Sequence, residues 1–203
     1  MRPIDWRPPT LTTERLVLRA FTTDDAHPLF VHARNPNVAR YTLWEEHRTI
    51  ADTMTFLRDY AVLRYLEGMA EPYAITIKPD PRPVGTCGCF WAALPHQTME
   101  LGYWIGEPFW GNGYVVEACR AVLSFVFPEY VPERMQARVI AGNGASARVL
   151  AKLGFRPEGT LRRSLLRRGN FEDVQMFSLL RDEWERENPP ANPPPNPLPA
   201  GRG

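Results

Sequence analysis

The chain has 203 residues, 44% hydrophobic and 23% charged, with 24 basic against 23 acidic side chains for a net charge of +1. That length fits one domain with tails and a genuine core, and the balanced charge argues against nucleic acid or a membrane surface as partner. No apolar run is long enough to span a bilayer and the opening "MRPIDWRPPT" has no hydrophobic signal region, so the cytoplasm is the expected compartment.

Residues 1–10 carry three prolines and read as a flexible lead-in. "RLVLRAF" (15–21) alternates Leu16, Leu18 and Ala20 against Arg15, Val17 and Arg19, the period of a strand. "TTDDA" (22–26) offers an N-cap and then acids, opening a helix to about Arg34 that "NPN" (35–37) ends. A second helix fits 50–66, with Ile50, Met54, Leu57, Ala61 and Leu66 near one face. "YAITI" (73–77), "VGTCGCFWAAL" (84–94) and "MELGYWI" (99–105) predict a three-stranded antiparallel meander. A helix follows from about Tyr114 to Phe127, its core stripe formed by Val115, Ala118, Cys119, Val122 and Val126, with Pro128 as its stop.

"RMQARVI" (134–140) is the next strand, and "ASARVLAKLGF" (145–155) a short helix closed by Gly154 at C′. Two strands fit around 156–162 and 173–180, separated by "RRSLLRRGN". Residues 186–203 are dominated by Pro and Asn and read as a disordered tail, with a polyproline ligand as the alternative. The expected domain thus runs over 11–185, an α+β fold around one central sheet. Cys87, Cys89 and Cys119 are odd in number and carry no export signal, which favours core packing over disulfides. His27, His32, His47 and His96 supply no ligand pair beside Cys87 and Cys89, so no metal is expected.

The chemistry gathers at "EPFWGNGYVVEA" (107–118), where Gly111 and Gly113 flank Asn112 at a helix start. Helix N-terminal N–H groups point outward unpaired, and glycine removes the Cβ atoms that would hold an anion away. A Walker loop is excluded because Gly113 is followed by Tyr114 and Val115, not Lys and Ser or Thr. A dinucleotide fingerprint is excluded because its third glycine falls on Val116 and no βαβ unit surrounds it. Two readings stay open on these residues: a short phosphate cradle lacking lysine and metal, or a helix cap built of glycines.

"ELGYWIGEPFWGNGYVVEA", then "NGASARVLAKLGFRPEG", with "TERLVLRAFTTDDA" before them and "FSLLRDEW" (177–184) after, closely resembles the Gcn5-related N-acetyltransferase (GNAT) family. The likeness is greatest to its ribosomal-protein N-terminal acetyltransferases and their small-molecule-acetylating relatives. The resemblance implies a single-domain fold with a mixed, mostly antiparallel sheet, two splayed strands and flanking helices. It implies acetyl-CoA as cosubstrate, its pyrophosphate on the backbone amides of Trp110, Gly111, Asn112, Gly113, Tyr114 and Val115. The pantetheine would pair with the backbone of Tyr103, Trp104 and Ile105 where strands 99–105 and 134–140 part. Asn143 matches the family Asn that bonds it, and Ser146 a position at the start of the next helix.

Two positions depart from the wider pattern: Pro108 stands where Gln or Arg is usual, and Leu150 where a Tyr acid is usual. Ser146 is the candidate replacement acid; its other reading is an N-cap for a helix beginning at Ala147. Glu100, the one carboxylate on 99–105, matches a position that deprotonates the amine; its other reading is a solvated strand end. A cysteine nucleophile lacks a neighbouring His. Trp44, Glu45 and His47 of "YTLWEEHRT", with Asp173, are the candidate acceptor contacts. Arg162, Arg163, Arg167 and Arg168 could meet an acidic peptide or the 3′-phosphate of CoA. The implied activity is acetyl transfer to a primary amine, of a small molecule or a peptide, by a monomer or homodimer. A non-catalytic acyl-CoA-binding or sensing module is the alternative.

Overall fold

The structure, a computed structural model, describes residues 6–189; the first five residues of the lead-in and the tail from residue 190 lie outside the described residues. Among the described residues, eight strands form one sheet in the order β1-β2-β3-β4-β5-β6-β8-β7. They are β1 (Leu11–Thr12), β2 (Leu16–Ala20), β3 (Tyr73–Ile77), β4 (Pro83–Ala93), β5 (Thr98–Ile105), β6 (Arg134–Ile140), β7 (Arg156–Arg167) and β8 (Asn170–Leu180). Every neighbouring pair is antiparallel except β5 and β6, which run parallel.

The alternation read from sequence sets the two faces. Leu16 and Leu18 of β2, Cys87 and Cys89 of β4, and Met99 and Leu101 of β5 are buried with Ala118, Cys119, Val122 and Val126 of helix α5 (Tyr114–Tyr130). Helix α6 (Gly144–Lys152) adds Leu150 to the same core. Each of the larger buried side chains contributes about 1.5–3 kcal/mol, so the α5 stripe anchors this layer. All three cysteines are free and buried, and burial pushes the thiols of Cys89 and Cys119 well up. Neither can supply a thiolate, which removes the cysteine-nucleophile route for these two. On the opposite face Phe21, Leu29, Leu57 and Ala74 form a smaller core under helices α1 (Ala26–Ala33) and α3 (Ile50–Thr55).

Four expectations are corrected. "NPN" does not simply end α1: Asn35 caps a further turn, α2 (Pro36–Ala39), accepting the N–H of Asn37 with Pro36 at the first helical position. The 50–66 helix is not uniform. A π-helical segment, Phe56–Ala61, separates α3 from α4 (Val62–Leu66). The wider π turn shifts the buried face. Leu57, Ala61 and Tyr65 go inward, while Ile50 and Leu66, expected in the stripe, stay 46% and 47% exposed. Helix α5 runs through Pro128 to Tyr130 and closes at Val131 in a left-handed conformation. Pro128 has no N–H to give the carbonyl four residues back, but it lies in the last turn, so only one ladder bond near the helix end is lost. Finally, the segment between the last two strands is itself sheet. β7 and β8 form a long hairpin across a two-residue turn, Arg168 and Gly169, both with positive φ (48° and 78°). Helix α7 (Arg181–Glu187) ends the described fold.

Only three residue pairs join β5 to β6: Thr98 to Arg134, Met99 to Met135 and Glu100 to Gln136. Both strands continue, to Ile105 and Ile140, without pairing further to each other. The sheet therefore opens at its middle, between α5 and α6 on one side and α3 with the π segment on the other.

Candidate active site

A cleft of about 1290 Å³ fills this opening. Its two halves follow from the alternation of "ELGYWI". Leu101, Tyr103 and Ile105 face the α5 core, whereas Glu100, Gly102 and Trp104 face the other layer. Gly102 has nothing within 4 Å of where a Cβ would stand, so the strand presents bare backbone to the cleft there.

One half is the glycine turn at the start of α5. Gly113 caps α5 with φ 79°, and Gly111 has φ 78°, conformations that favour glycine. A Cβ on Gly111 would meet no protein atom within 4 Å, and the residue presents bare backbone where it lines the cleft. α5 is 17 residues long, so its N-terminal amides carry the positive end of a full helix dipole. The loop is braced from outside: Arg15 donates to Asn112 O at 3.0 Å and to Glu117 at 2.6 Å, and stacks 4.6 Å over the Tyr114 ring. Trp110 Nε1 donates to Ile105 O at 2.9 Å, and Asn112 Nδ2 to Trp110 O at 3.0 Å. Trp110, Gly111, Gly113, Tyr114 and Val115 line the cleft, while the Asn112 side chain turns back onto its own loop.

Across the opening, Asn143 and Ser146 also line the cleft. The cap of α6 is Asn143, not Ser146: the helix begins at Gly144, and Asn143 Oδ1 accepts the Ser146 N–H at 3.2 Å. That bond uses the amide oxygen and leaves the Asn143 NH₂ group for another partner. Ser146 Oγ is 2.8 Å from the Tyr103 hydroxyl, a bridge from α6 to β5 over the gap. Burial pushes the Tyr103 phenol up, so it is a proton-carrying group at neutral pH. Leu150, at the usual Tyr position, is fully buried core.

The other half is aromatic and acidic. Trp44 packs 5.3 Å from Trp104 and 5.4 Å from His47. His47 Nδ1 lies 2.7 Å from Thr53 Oγ1, and burial holds its pKa below the ordinary value, so it is neutral at pH 7. Glu100, only 8% exposed, is no solvated strand end: Arg138 Nε donates to it at 2.8 Å and Gln136 Nε2 at 3.0 Å. Of the expected acceptor contacts, Trp44 and His47 line the cleft. Glu45 does not; it is exposed and pairs with Arg48 at 3.5 Å. Asp173 also stays outside, accepting the Arg163 N–H at 2.8 Å in a shallow depression beside the β7–β8 hairpin.

The hairpin arginines have structural partners as well: Arg167 pairs with Glu172, and Arg168 with Ala39 O and Glu46. Arg148 and Lys152 of α6 also line the cleft, one turn apart. Their spacing of four on one helix was the available signal. Sequence reading also missed Glu71, Tyr60 and Arg138, all of which line the cleft.

Comparison with known proteins agrees with this geometry. The acetyltransferase (GNAT) domain model matches residues 15–156. The uncharacterized N-acetyltransferase YoaA of Bacillus subtilis (strain 168) is 32% identical over 173 residues, spanning 85% of this chain and 97% of YoaA. The ribosomal protein uS5-alanine N-acetyltransferase of Escherichia coli (strain K12) is 32% identical over 84 residues, 41% of this chain and 43% of that protein. Among solved structures, the ribosomal L7/L12 alpha-N-protein acetyltransferase RimL in complex with coenzyme A shares the fold, with a TM-score of 0.77 at 20% identity over 86% of this chain and 99% of that one. The chain belongs to the GNAT acetyltransferase family, and it is an N-acetyltransferase.

Proposed function

We propose that this chain transfers the acetyl group of acetyl-CoA directly to a primary amine, with the cosubstrate lying through the gap between β5 and β6. The observation that carries this reading is the coincidence of two features in one cleft. The β5–β6 ladder stops at Glu100, and the glycine cradle at the α5 N-terminus opens onto the same space. The residues fit the group: Gly111 leaves room where a Cβ would intrude, and the Asn143 NH₂ is free to donate. The amides from Trp110 to Val115 would hold the pyrophosphate, Arg148 and Lys152 the more distant phosphate, and the backbone of Tyr103 to Ile105 the pantetheine arm. Bound there, acetyl-CoA supplies an activated acyl carbon and a thiol leaving group. A backbone N–H of β5 beside Gly102 steadies the carbonyl oxygen as charge grows on it, an interaction typically worth about 3 kcal/mol.

The remaining task is proton movement. The bridged hydroxyls of Ser146 and Tyr103 line the cleft and would hand a proton to the departing sulfur of bound acetyl-CoA. Ser146→Ala is expected to lower kcat roughly 10-fold to 10²-fold with acetyl-CoA affinity little changed. Tyr103→Phe should give a similar loss, and the double variant should lose no more than either alone, since the two act as one unit. Thiol release under saturating substrates reads this directly; strictly additive losses would separate the two hydroxyls. The reading as a whole is tested by titrating the full chain with acetyl-CoA and then assaying thiol release against primary amines.

A further inference from the structure

The aromatic half of the cleft holds a second carboxylate with no role so far. Glu71 lies in the connection between α4 and β3 and is 5% exposed. It can sit there because Gly88 of β4 has no side chain: a Cβ at Gly88 would come within 2.3 Å of the Glu71 Cβ. Tyr60 of the π segment donates its hydroxyl to Glu71 Oε1 at 2.7 Å, and Arg64 Nε is 3.1 Å from the same oxygen. Glu71, Tyr60 and Glu100 all line the cleft.

The donors of the two carboxylates differ. Glu100 has an arginine at 2.8 Å and the Gln136 amide. Arg64, beside Glu71, is shared with Glu67 at 2.9 Å, and its guanidinium also lies over the Tyr60 and Phe90 rings. Arg64 thus divides its charge between Glu71 and the exposed Glu67, whereas Glu100 has Arg138 and Gln136 to itself, so Glu71 is the less fully neutralised of the two cleft carboxylates. Two buried carboxylates, Glu71 and Glu100, therefore stand at one end of the cleft, where an ammonium group would be attracted to both. Trp44, Phe56, Phe90 and Trp104 wall the same end.

We propose that Glu71 takes the proton from the incoming ammonium, that Glu100 is the fixed anion beside it, and that this seat takes a primary amine with an apolar body. The proposal rests on the acetyltransferase reading above. Glu71 accepts one proton from the ammonium and releases it to solvent. The freed lone pair forms the C–N bond with the acetyl carbon as the C–S bond breaks. The second proton leaves the nitrogen, and the sulfur receives one through Ser146 and Tyr103. The products are one amide, one thiol and one proton. Burial pushes the Glu71 carboxyl up to about 6; Tyr60 and Arg64 oppose the rise, and Glu100 and Glu67 add to it. Tyr60, Arg64, Tyr65, Glu67, Glu100 and the Cys89 thiol are the titratable and charged groups acting with it. A base in that range is ionised at neutral pH and still holds a proton well enough to take one.

The test is steady-state kinetics of the full chain with acetyl-CoA and benzylamine, read as kcat/KM from about pH 5 to about pH 9. Wild type should acetylate benzylamine, with kcat/KM rising through about pH 6. Glu71→Gln should remove that rise and lower kcat roughly 10²-fold or more, with acetyl-CoA affinity by calorimetry unchanged. Glu100→Gln should raise the KM for benzylamine and keep the rise. Tyr60→Phe removes a bond to the ionised carboxylate, so the rise should move to higher pH, an effect a merely structural role would not produce. A wild-type profile in Glu71→Gln would overturn the assignment of the base. Acetyl-CoA binding without acetylation of benzylamine would overturn the seat for an apolar amine. A chain that bound no acetyl-CoA would overturn the parent reading, and this proposal with it.

Discussion

Gly111→Glu is expected to weaken acetyl-CoA binding roughly 10³-fold, about 4 kcal/mol, while the protein stays folded. The loss has two sources. A carboxylate would occupy the space before the α5 N-terminus and repel the pyrophosphate. The φ of 78° would also be imposed on a residue with a Cβ, at about 1 kcal/mol. The fold survives because no protein atom lies within 4 Å of the new Cβ. Gly111→Ala bears the same backbone cost without the charge, so it should lose far less affinity. Calorimetric titration of the two variants separates the terms. Wild-type affinity in Gly111→Glu would mean that the glycine turn is only a helix cap.

The second large effect is on stability. Asp25 is buried and accepts two bonds from Arg19, at 2.8 and 2.7 Å, and one from the Thr22 N–H at 2.8 Å. It thereby closes the turn that leads into α1, which covers the smaller core. Asp25→Ala strands a half-buried guanidinium and opens the cap together. Removing one partner of a buried pair typically costs 3–5 kcal/mol, and the partial exposure of Arg19 argues for the lower end, about 3 kcal/mol. Urea unfolding should show the loss as a fall in midpoint at unchanged slope. A loss below about 1 kcal/mol would mean that the Pro81 carbonyl and solvent suffice for Arg19.

Local pattern carried much of this molecule. The alternation in β2 and β5 and the α5 stripe were legible because each reports burial within a single element. The glycine turn at the start of α5 was legible because Gly111 and Gly113 adopt the positive φ that glycine favours. What escaped depended on partners distant in sequence. Glu71 reads as an ordinary acid before a proline until Gly88, 17 residues on, makes room for it beneath the sheet. Arg138 alters the meaning of Glu100 only because β6 pairs with β5 across a crossover. Glu45 and Asp173 lie outside the cleft, Glu45 beside Arg48 at the surface and Asp173 accepting the Arg163 N–H, placements that the loop sequences do not reveal. The β7–β8 turn was missed because Arg168 adopts positive φ without the Asn-Gly or Asp-Gly pair that usually marks such a turn.

The most direct test of the central claim is thiol release from acetyl-CoA by the full chain on adding a primary amine, with the amine product weighed by mass spectrometry. The account predicts one thiol for each acetylated amine, abolished in Gly111→Glu. Saturable binding of acetyl-CoA with no amine-dependent thiol release would contradict it.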